Sequence, residues 1–310
     1  MVNQQQYIRN CKLLVAGNDT NGLDLSNLRI KFSVKRSDTM TPNVADIRVY
    51  NLEEKTALRI KKEFTRVVLQ AGYNSNFGVI FQGNIKQVII GRESATDTFI
   101  DIVAGDGDHA YNFAIVNTTL RKGSKQEDQV NASIQAMSQK GVTAGHIGDM
   151  PPESLPRGKA MYGNARNYLR DVAQSSKKSW SIQDEKVTFV PVKSYLPGER
   201  VLINSKTGMI GTPQQTNEGV NVKCLLNPNI KIGGRIEINN RDVAALKINL
   251  SVPNSPANIP APFTADGVYY VLVAEHSGDT RGLEWYTSLI CLNIDVTTNP
   301  INSVQTSYGP

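Results

Sequence analysis

Residues 207–213 read Thr-Gly-Met-Ile-Gly-Thr-Pro, and residues 219–240 read Gly-Val-Asn-Val-Lys-Cys-Leu-Leu-Asn-Pro-Asn-Ile-Lys-Ile-Gly-Gly-Arg-Ile-Glu-Ile-Asn-Asn. Apolar residues recur at every second position: Val220, Val222 and Cys224, then Ile230 and Ile232, then Ile236 and Ile238. A period of two puts alternate side chains on opposite faces, one buried and one wet, and so predicts strands. Asn227-Pro228 and Gly233-Gly234 interrupt the pattern with turn chemistry, because proline presets φ and glycine permits positive φ. The stretch predicts consecutive short antiparallel strands rolled into a small barrel. It holds no His and no acidic pair able to do chemistry, so it reads as architecture.

Working outward, Leu28, Ile30, Phe32 and Val34 alternate with Arg29, Lys31, Ser33 and Lys35, the pattern of a half-buried strand. Ala45, Ile47 and Val49 repeat it. Asn51 with Glu54 three residues on predicts a helix start, with Ala57, Leu58 and Phe64 on the apolar side. Strands follow over 67–71, 79–83 with 85–90, and 99–104. Residues 1–120 therefore predict a first antiparallel barrel. The period then changes. Ser124 to Glu127 has capping-box spacing ahead of Val130, Ile134 and Met137, and Asn164 caps a second helix with Ala165, Leu169, Val172 and Ala173 as its buried stripe. Residues 180–182 and 187–190 predict a hairpin across Asp184-Glu185. Residues 121–205 thus form a small α+β unit, and 206–296 a second barrel closed by strands over 268–275 and 283–296. Between them lies a loop carrying Pro253, Pro256, Pro260 and Pro262, and polar residues 297–310 form an extended arm. The fold class is mainly β with an α+β insert.

A chain of 310 residues is long enough for two or three domains with sizeable cores. Cys11, Cys224 and Cys291 are odd in number and far apart, as expected of core thiols in a reducing compartment. The first ten residues lack the apolar stretch of a secretory signal, and no apolar run approaches the ~18 residues that span a bilayer. The net charge of +6 is spread without a run of five basic residues, which argues against direct nucleic-acid recognition.

Candidate sites fall away on chemistry. Gly105-Asp-Gly107-Asp-His-Ala110 matches a dinucleotide fingerprint, but Asp106 and Asp108 would set carboxylates against a pyrophosphate, so a charged surface turn is expected. As a calcium loop it has Tyr111 and Asn117 where Gly and Glu belong. His109, His146 and His276 lack metal-ligand spacing. Glu275-His-Ser-Gly-Asp279 predicts a turn, too tight for His276, Ser277 and Asp279 to act as a triad. Glu153, Asp184 and Glu185 are loop carboxylates with no cleft between them. Trp180 and Trp285 sit among strand alternates and predict core packing. No catalytic, cofactor-binding or metal-binding residue is assigned, and no cofactor is expected.

Several stretches, taken in order, resemble the baseplate (tail) hub family of long-tailed, especially contractile-tailed, bacteriophages and related injection particles. They are Ile47–Leu52, Val68–Tyr73 and Ile80–Gly83, then Thr207–Pro213 with Leu225–Pro228, and finally Gly267–Asp279 with Gly282–Thr287. The resemblance implies two tail-tube-like barrels per chain and a homotrimeric ring joining a sixfold tail tube to a threefold central spike. It further implies contacts with a tube or tube-initiator protein, the spike, the tape measure and baseplate wedge proteins. DNA would meet the protein only in transit through the lumen, and the virion would be assembled in the host cytoplasm. No active-site residue is carried over. Two other classes stay open: a tail-tip receptor- or carbohydrate-binding module, and a tail-associated peptidoglycan hydrolase.

Overall fold

The computed structural model describes residues 8–17, 22–192, 194–216, 219–239 and 267–293. The proline-bearing loop, the arm over 297–310 and the end of the strand expected to reach 296 lie outside the described residues.

The first roll contains β1 (Arg9–Gly17), β2 (Leu23–Asp24), β3 (Ile30–Ser37), β4 (Val44–Tyr50), α1 (Glu54–Glu63), β5 (Phe64–Tyr73), β6 (Asn76–Arg92) and β7 (Thr98–Gly105). Its alternation is clean: Ile30, Phe32 and Val34 of β3 are buried while Lys31 and Lys35 are exposed. Ala57 and Ile60 are the buried side of α1, and Leu58 is exposed. The expected cap at Asn51 is not used. Asn51 adopts a positive φ of 54° and binds Asp97 and the Thr98 N–H, and Glu53 occupies the cap position instead.

The insert contains α2 (Asp108–Phe113), β8 (Ile115–Leu120), α3 (Gln126–Ser138), β9 (Thr143–Ala144), β10 (Lys159–Asn164), α4 (Ala165–Ser175), β11 (Lys178–Gln183) and β12 (Lys186–Pro191). Asn164 caps α4 by accepting the Arg166 N–H at 3.1 Å. The cap of α3 sits one residue later than its spacing suggested, with Asp128 accepting the Lys125 N–H at 2.7 Å. These elements enclose their own apolar core around Val130, Leu169, Trp180 and Phe189.

The second roll contains β13 (Val201–Leu202), β14 (Gln214–Gln215), β15 (Gly219–Leu225), β16 (Arg235–Glu237), β17 (Val268–Asp279) and β18 (Trp285–Leu292). Val220, Val222, Cys224, Ile236 and Ile238 fill its core as the alternation predicts. Ile230 and Ile232 are buried there too, but from turns rather than a strand. Pairing also departs from the expected succession. β15 lies between β14 and β18, whereas β16 pairs with β17 and runs parallel to β13.

Strands expected in two separate barrels belong to one sheet, ordered β14-β15-β18-β17-β3-β4-β7-β6-β5-β1-β2. β17 makes the join. Its residues 268–270 pair with β16, and residues 273–279 pair with β3, while β18 follows the other edge. The register shifts between Val271 and Val273, where the partner changes. A bulge there adds local twist, which lets one strand serve two rolls. The first roll is further held shut by side chains: Trp285 donates its indole N–H to the Gly72 carbonyl at 3.3 Å, and Arg9 binds the carbonyls of Gly282 and Leu283.

Candidate functional site

Seven neighbouring strands, β15, β18, β17, β3, β4, β7 and β6, turn one face toward the cores and the other outward. Register fixes what the outer face presents. One row runs Asp279, Lys31, Arg48, Asp101, Ile89, and the next runs Ser277, Ser33, Asp46, Val103, Gln87. Asp279 stands opposite Lys31 and Asp101 opposite Arg48, the favourable arrangement for cross-strand pairs, and these carboxylates flank the like-charged Lys31 and Arg48. Arg48 binds Asp101 in bidentate fashion at 2.7 and 2.8 Å and reaches Glu93 at 3.6 Å. Arg29 and Asp279 form a similar fork at 3.2 and 2.7 Å, which holds the Asp279 carboxyl below its ordinary range. A shallow groove of about 570 Å³ crosses this face between Glu284 and Ile89, and another of about 360 Å³ continues past Glu275 to Lys223.

A second constellation sits where both rolls meet the insert. The β11–β12 turn, Asp184-Glu185, has positive φ at both residues (55° and 58°), the geometry of a tight hairpin. Asp106, at the end of β7, accepts the N–H groups of Asp184 and Glu185 at 2.8 and 2.7 Å. Asn43 donates to Asp106, to the Ile182 carbonyl and to Gln183. Arg36 binds Asp184 at 3.0 Å, Lys231 of the second roll binds it at 3.4 Å, and Arg66 binds Glu185. Burial pushes the Asp106 carboxyl up to about 7, against the pull of Arg36. Burial also acts on Asp184, but Arg36 and Lys231 outweigh it and keep that group below its usual range. Nearby, Asp38 accepts from Ser179 of the insert at 2.7 Å and from the Tyr270 hydroxyl of the second roll. Burial raises its carboxyl to about 6.

The residues flagged by sequence are placed as follows. Asp106 is not on a surface turn; it is a buried anchor for a hairpin 78 and 79 positions away. No local pattern signals such a distant pair of N–H donors. His276 lies inside β17 rather than in a turn. It faces the core, with Nδ1 2.9 Å from the Thr287 hydroxyl, while Ser277 faces outward, so the two never converge. Burial drives the His276 imidazole down to about 3, which leaves it neutral. His109 is exposed on α2, and His146 and Glu153 are exposed in the connection between β9 and β10. Asp184 and Glu185 are brought together, but as ion-pair partners at the junction. Asp108 starts α2 and pairs with Lys86 at 3.0 Å. Trp180 and Trp285 are both core residues. Among the described residues, no three His, Cys, Asp or Glu side chains are grouped to hold a metal, and no helix is long and apolar enough to cross a membrane.

The sequence profile of the baseplate hub gp41 family matches residues 21–243, well over half of the chain. The chain belongs to the baseplate hub gp41 family. These are structural components of the phage tail. Solved tail proteins share the hub chain's fold at very low identity. The 43 kDa tail protein of prophage MuSo2 from Shewanella oneidensis has a TM-score of 0.57 at 5% identity, covering 92% of this chain and 97% of its own. A tail protein from Neisseria meningitidis MC58 gives 0.59 at 8% identity over 93% and 97%. The Escherichia coli c3393 protein gives 0.55 at 9% identity over 91% and 76%. It is a component of the type VI secretion system, described as structurally similar to the T4 tail proteins gp27 and gp5. No curated protein matches the sequence.

Proposed function

We propose that three copies of this chain form a ring at the baseplate, adapting a sixfold tail tube to a threefold central spike and leaving a channel for genome ejection. The observation that carries this reading is the continuous sheet through two adjacent rolls. Two rolls per chain in three chains present six comparable units around one axis, so a trimer meets sixfold and threefold neighbours alike. In this reading the units are residues 1–120, 121–205 and 206–296, with 297–310 as an arm. The outward polar face lines the channel. Arg29 and Arg48 on it are already paired with carboxylates, which leaves fewer centres to arrest a passing polyanion.

The role is structural and non-enzymatic, in keeping with Asp106, Asp184 and Glu185 being engaged in holding units together. Partners are the tube or tube-initiator protein and the spike, with tape measure and wedge proteins adjoining. The setting is a contractile-type tail, assembled in the host cytoplasm. Native mass spectrometry of the purified protein, with imaging of particles carrying a labelled subunit, tests the reading. A trimer on the tail axis is expected, and a subunit that stays monomeric within particles overturns it.

A further inference from the structure

β8 and β10 stand apart from the large sheet as a ribbon of two strands. Their pairing runs from Ile115 opposite Asn164 to Leu120 opposite Lys159 without a register shift. One face is buried on the insert's core through Val116 and Met161. The other is open, yet it carries Ile115, 60% exposed, and Tyr162, 77% exposed. Phe113, which ends α2 just ahead of β8, is 61% exposed. Ile115, Asn117 and Tyr162 share the open face, because residues directly opposite in an antiparallel pair point the same way. Large apolar groups gathered on an open face mark a contact surface.

The edge of β8 is free as well. The Ala165 N–H donates to the Ala114 carbonyl at 2.9 Å, which makes theirs a hydrogen-bonded pair. Bonded and non-bonded pairs alternate along such a ladder, so the N–H and carbonyl groups of Asn117 and Thr119 point away from β10. Among the described residues none of these groups meets a hydrogen-bond partner. Exposed edges are ordinarily blunted by a proline, a bulge or a charge, and Ile115–Thr119 has none of them.

Charge selects the partner. Residues 114–125 and 154–164 include Arg121, Lys122, Lys125, Arg157 and Lys159 but no Asp or Glu. The Gly123 N–H donates to the Leu155 carbonyl at 2.9 Å and the Leu155 N–H to the Ser124 carbonyl at 2.7 Å, which joins the two segments at one end of the ribbon. Arg121, Lys122, Lys125 and Arg157 are exposed there. Among the described residues the insert's ion pairs use Asp108, Asp171, Asp184 and Glu185, none of them with these four cations. Of the carboxylates nearby, Asp128 is taken up in capping α3, while Glu127 and Glu153 are exposed.

We propose that the free edge of β8 takes up an extended, acidic segment of a partner protein as a third strand. Its apolar side chains lie on the Ile115–Tyr162 face and its carboxylates reach Arg121, Lys122, Lys125 and Arg157. Main-chain hydrogen bonds to Asn117 and Thr119 supply adhesion, as in other strand additions. The cations steer the approach and choose the sign of the partner. The site lies on the insert and does not depend on how many copies make the ring.

The test pans a displayed library of random linear peptides against the full chain, with an Ile115→Ser, Tyr162→Ser double variant for counter-selection. Peptides rich in Asp and Glu, with apolar residues at alternate positions, are expected to be enriched. By fluorescence anisotropy they should bind the double variant at least ~10-fold more weakly than the parent, and an Arg121→Glu, Lys122→Glu variant likewise. All four positions are exposed or at a strand end, so circular dichroism should match the parent. Asn117→Pro removes an outward N–H at an edge, where proline is tolerated, and should weaken binding as much. Should that variant misfold, amide exchange decides: the Asn117 and Thr119 N–H groups of the parent are expected to slow when peptide is added, and unchanged exchange overturns strand addition. No enrichment, enrichment of basic or uncharged peptides, or equal binding by folded variants overturns the proposal. A parent oligomer that is lost in the Ile115→Ser, Tyr162→Ser variant also overturns it, by assigning this face to a second copy of the chain.

Discussion

Arg36 of the first roll and Asp184 at the insert's hairpin tip form an ion pair of 3.0 Å in which the arginine side chain is only 3% exposed. The guanidinium also reaches the Ile80 carbonyl and Gln183, both at 3.3 Å, so it bonds to groups from two units at once. Removing one member of such a pair strands its partner's charge, which costs far more than the pair contributes when intact. Asp184→Asn leaves the buried Arg36 charge without its carboxylate and should lower stability by about 3 kcal/mol in urea unfolding, whereas Arg36→Met leaves Asp184 paired with Lys231 and should cost less. Arg36→Met combined with Asp184→Asn should cost less than the two single changes together. Additive losses would show that the pair does not bind the units.

Asp106 and His276 set opposite dependences on pH. The Asp106 carboxyl lies near 7 in the folded protein, above its ordinary 3.8, so its contribution is greatest in acid and is lost as pH rises toward 7. The His276 imidazole lies near 3, below its ordinary 6.5, so its contribution is full above 6.5 and is lost as pH falls. Between about pH 4 and 6.5 the two slopes oppose one another. Relative to the parent, His276→Gln should gain stability on acidification and Asp106→Asn should gain on alkalinisation. Each slope is at most about 1.4 kcal/mol per pH unit. Thermal melts at several pH values give the slopes, and two variants drifting the same way would contradict this assignment.

Gly278 is fixed by two aromatic rings. A Cβ there would stand 2.5 Å from Phe32 Cζ and 2.8 Å from Trp285 Cε3, and those rings already meet edge to face at 5.4 Å. Gly278→Ala should cost about 1–3 kcal/mol through overpacking. Trp285→Phe loses the indole bond to Gly72 and should cost a similar amount. Placed together, Trp285→Phe should relieve part of the Gly278→Ala penalty, measured as a smaller drop in melting temperature than the sum.

Native thiols should be inert. Burial raises Cys11 and Cys224 to about 12, and Cys291 further still. Thiolate is the reactive form, so a disulfide reagent at pH 8 should label no cysteine at these positions within minutes unless denaturant is added. Rapid native labelling of Cys11, which is only partly covered, would show that the β1 edge opens.

Alternation made much of this fold legible, because period-two burial is a local property. β3, β4 and the hairpin about Asp184-Glu185 follow directly from it, and the Asn164 cap follows from an equally local signal, a capping side chain ahead of a helical stripe. It failed where a short pattern had two physical uses. Asn51 with Glu54 has cap spacing, yet Asn51 spends its side chain on Asp97 across a turn. Ile230 and Ile232 alternate like a strand because two successive turns aim both inward. Long-range geometry left no trace at all. Nothing near Asp106 announces the N–H groups of Asp184 and Glu185, and nothing in β17 reveals that it changes partner at Val273.

β17 carries a mechanical consequence. A strand bonded to β16 at its start, to β3 at its end and to β18 along its length leaves no flexible linker between the rolls at that seam. Force applied to one roll along β17 therefore loads many hydrogen bonds in shear, all at once, instead of peeling them open singly. Such a molecule is built to pass tension through itself with little give.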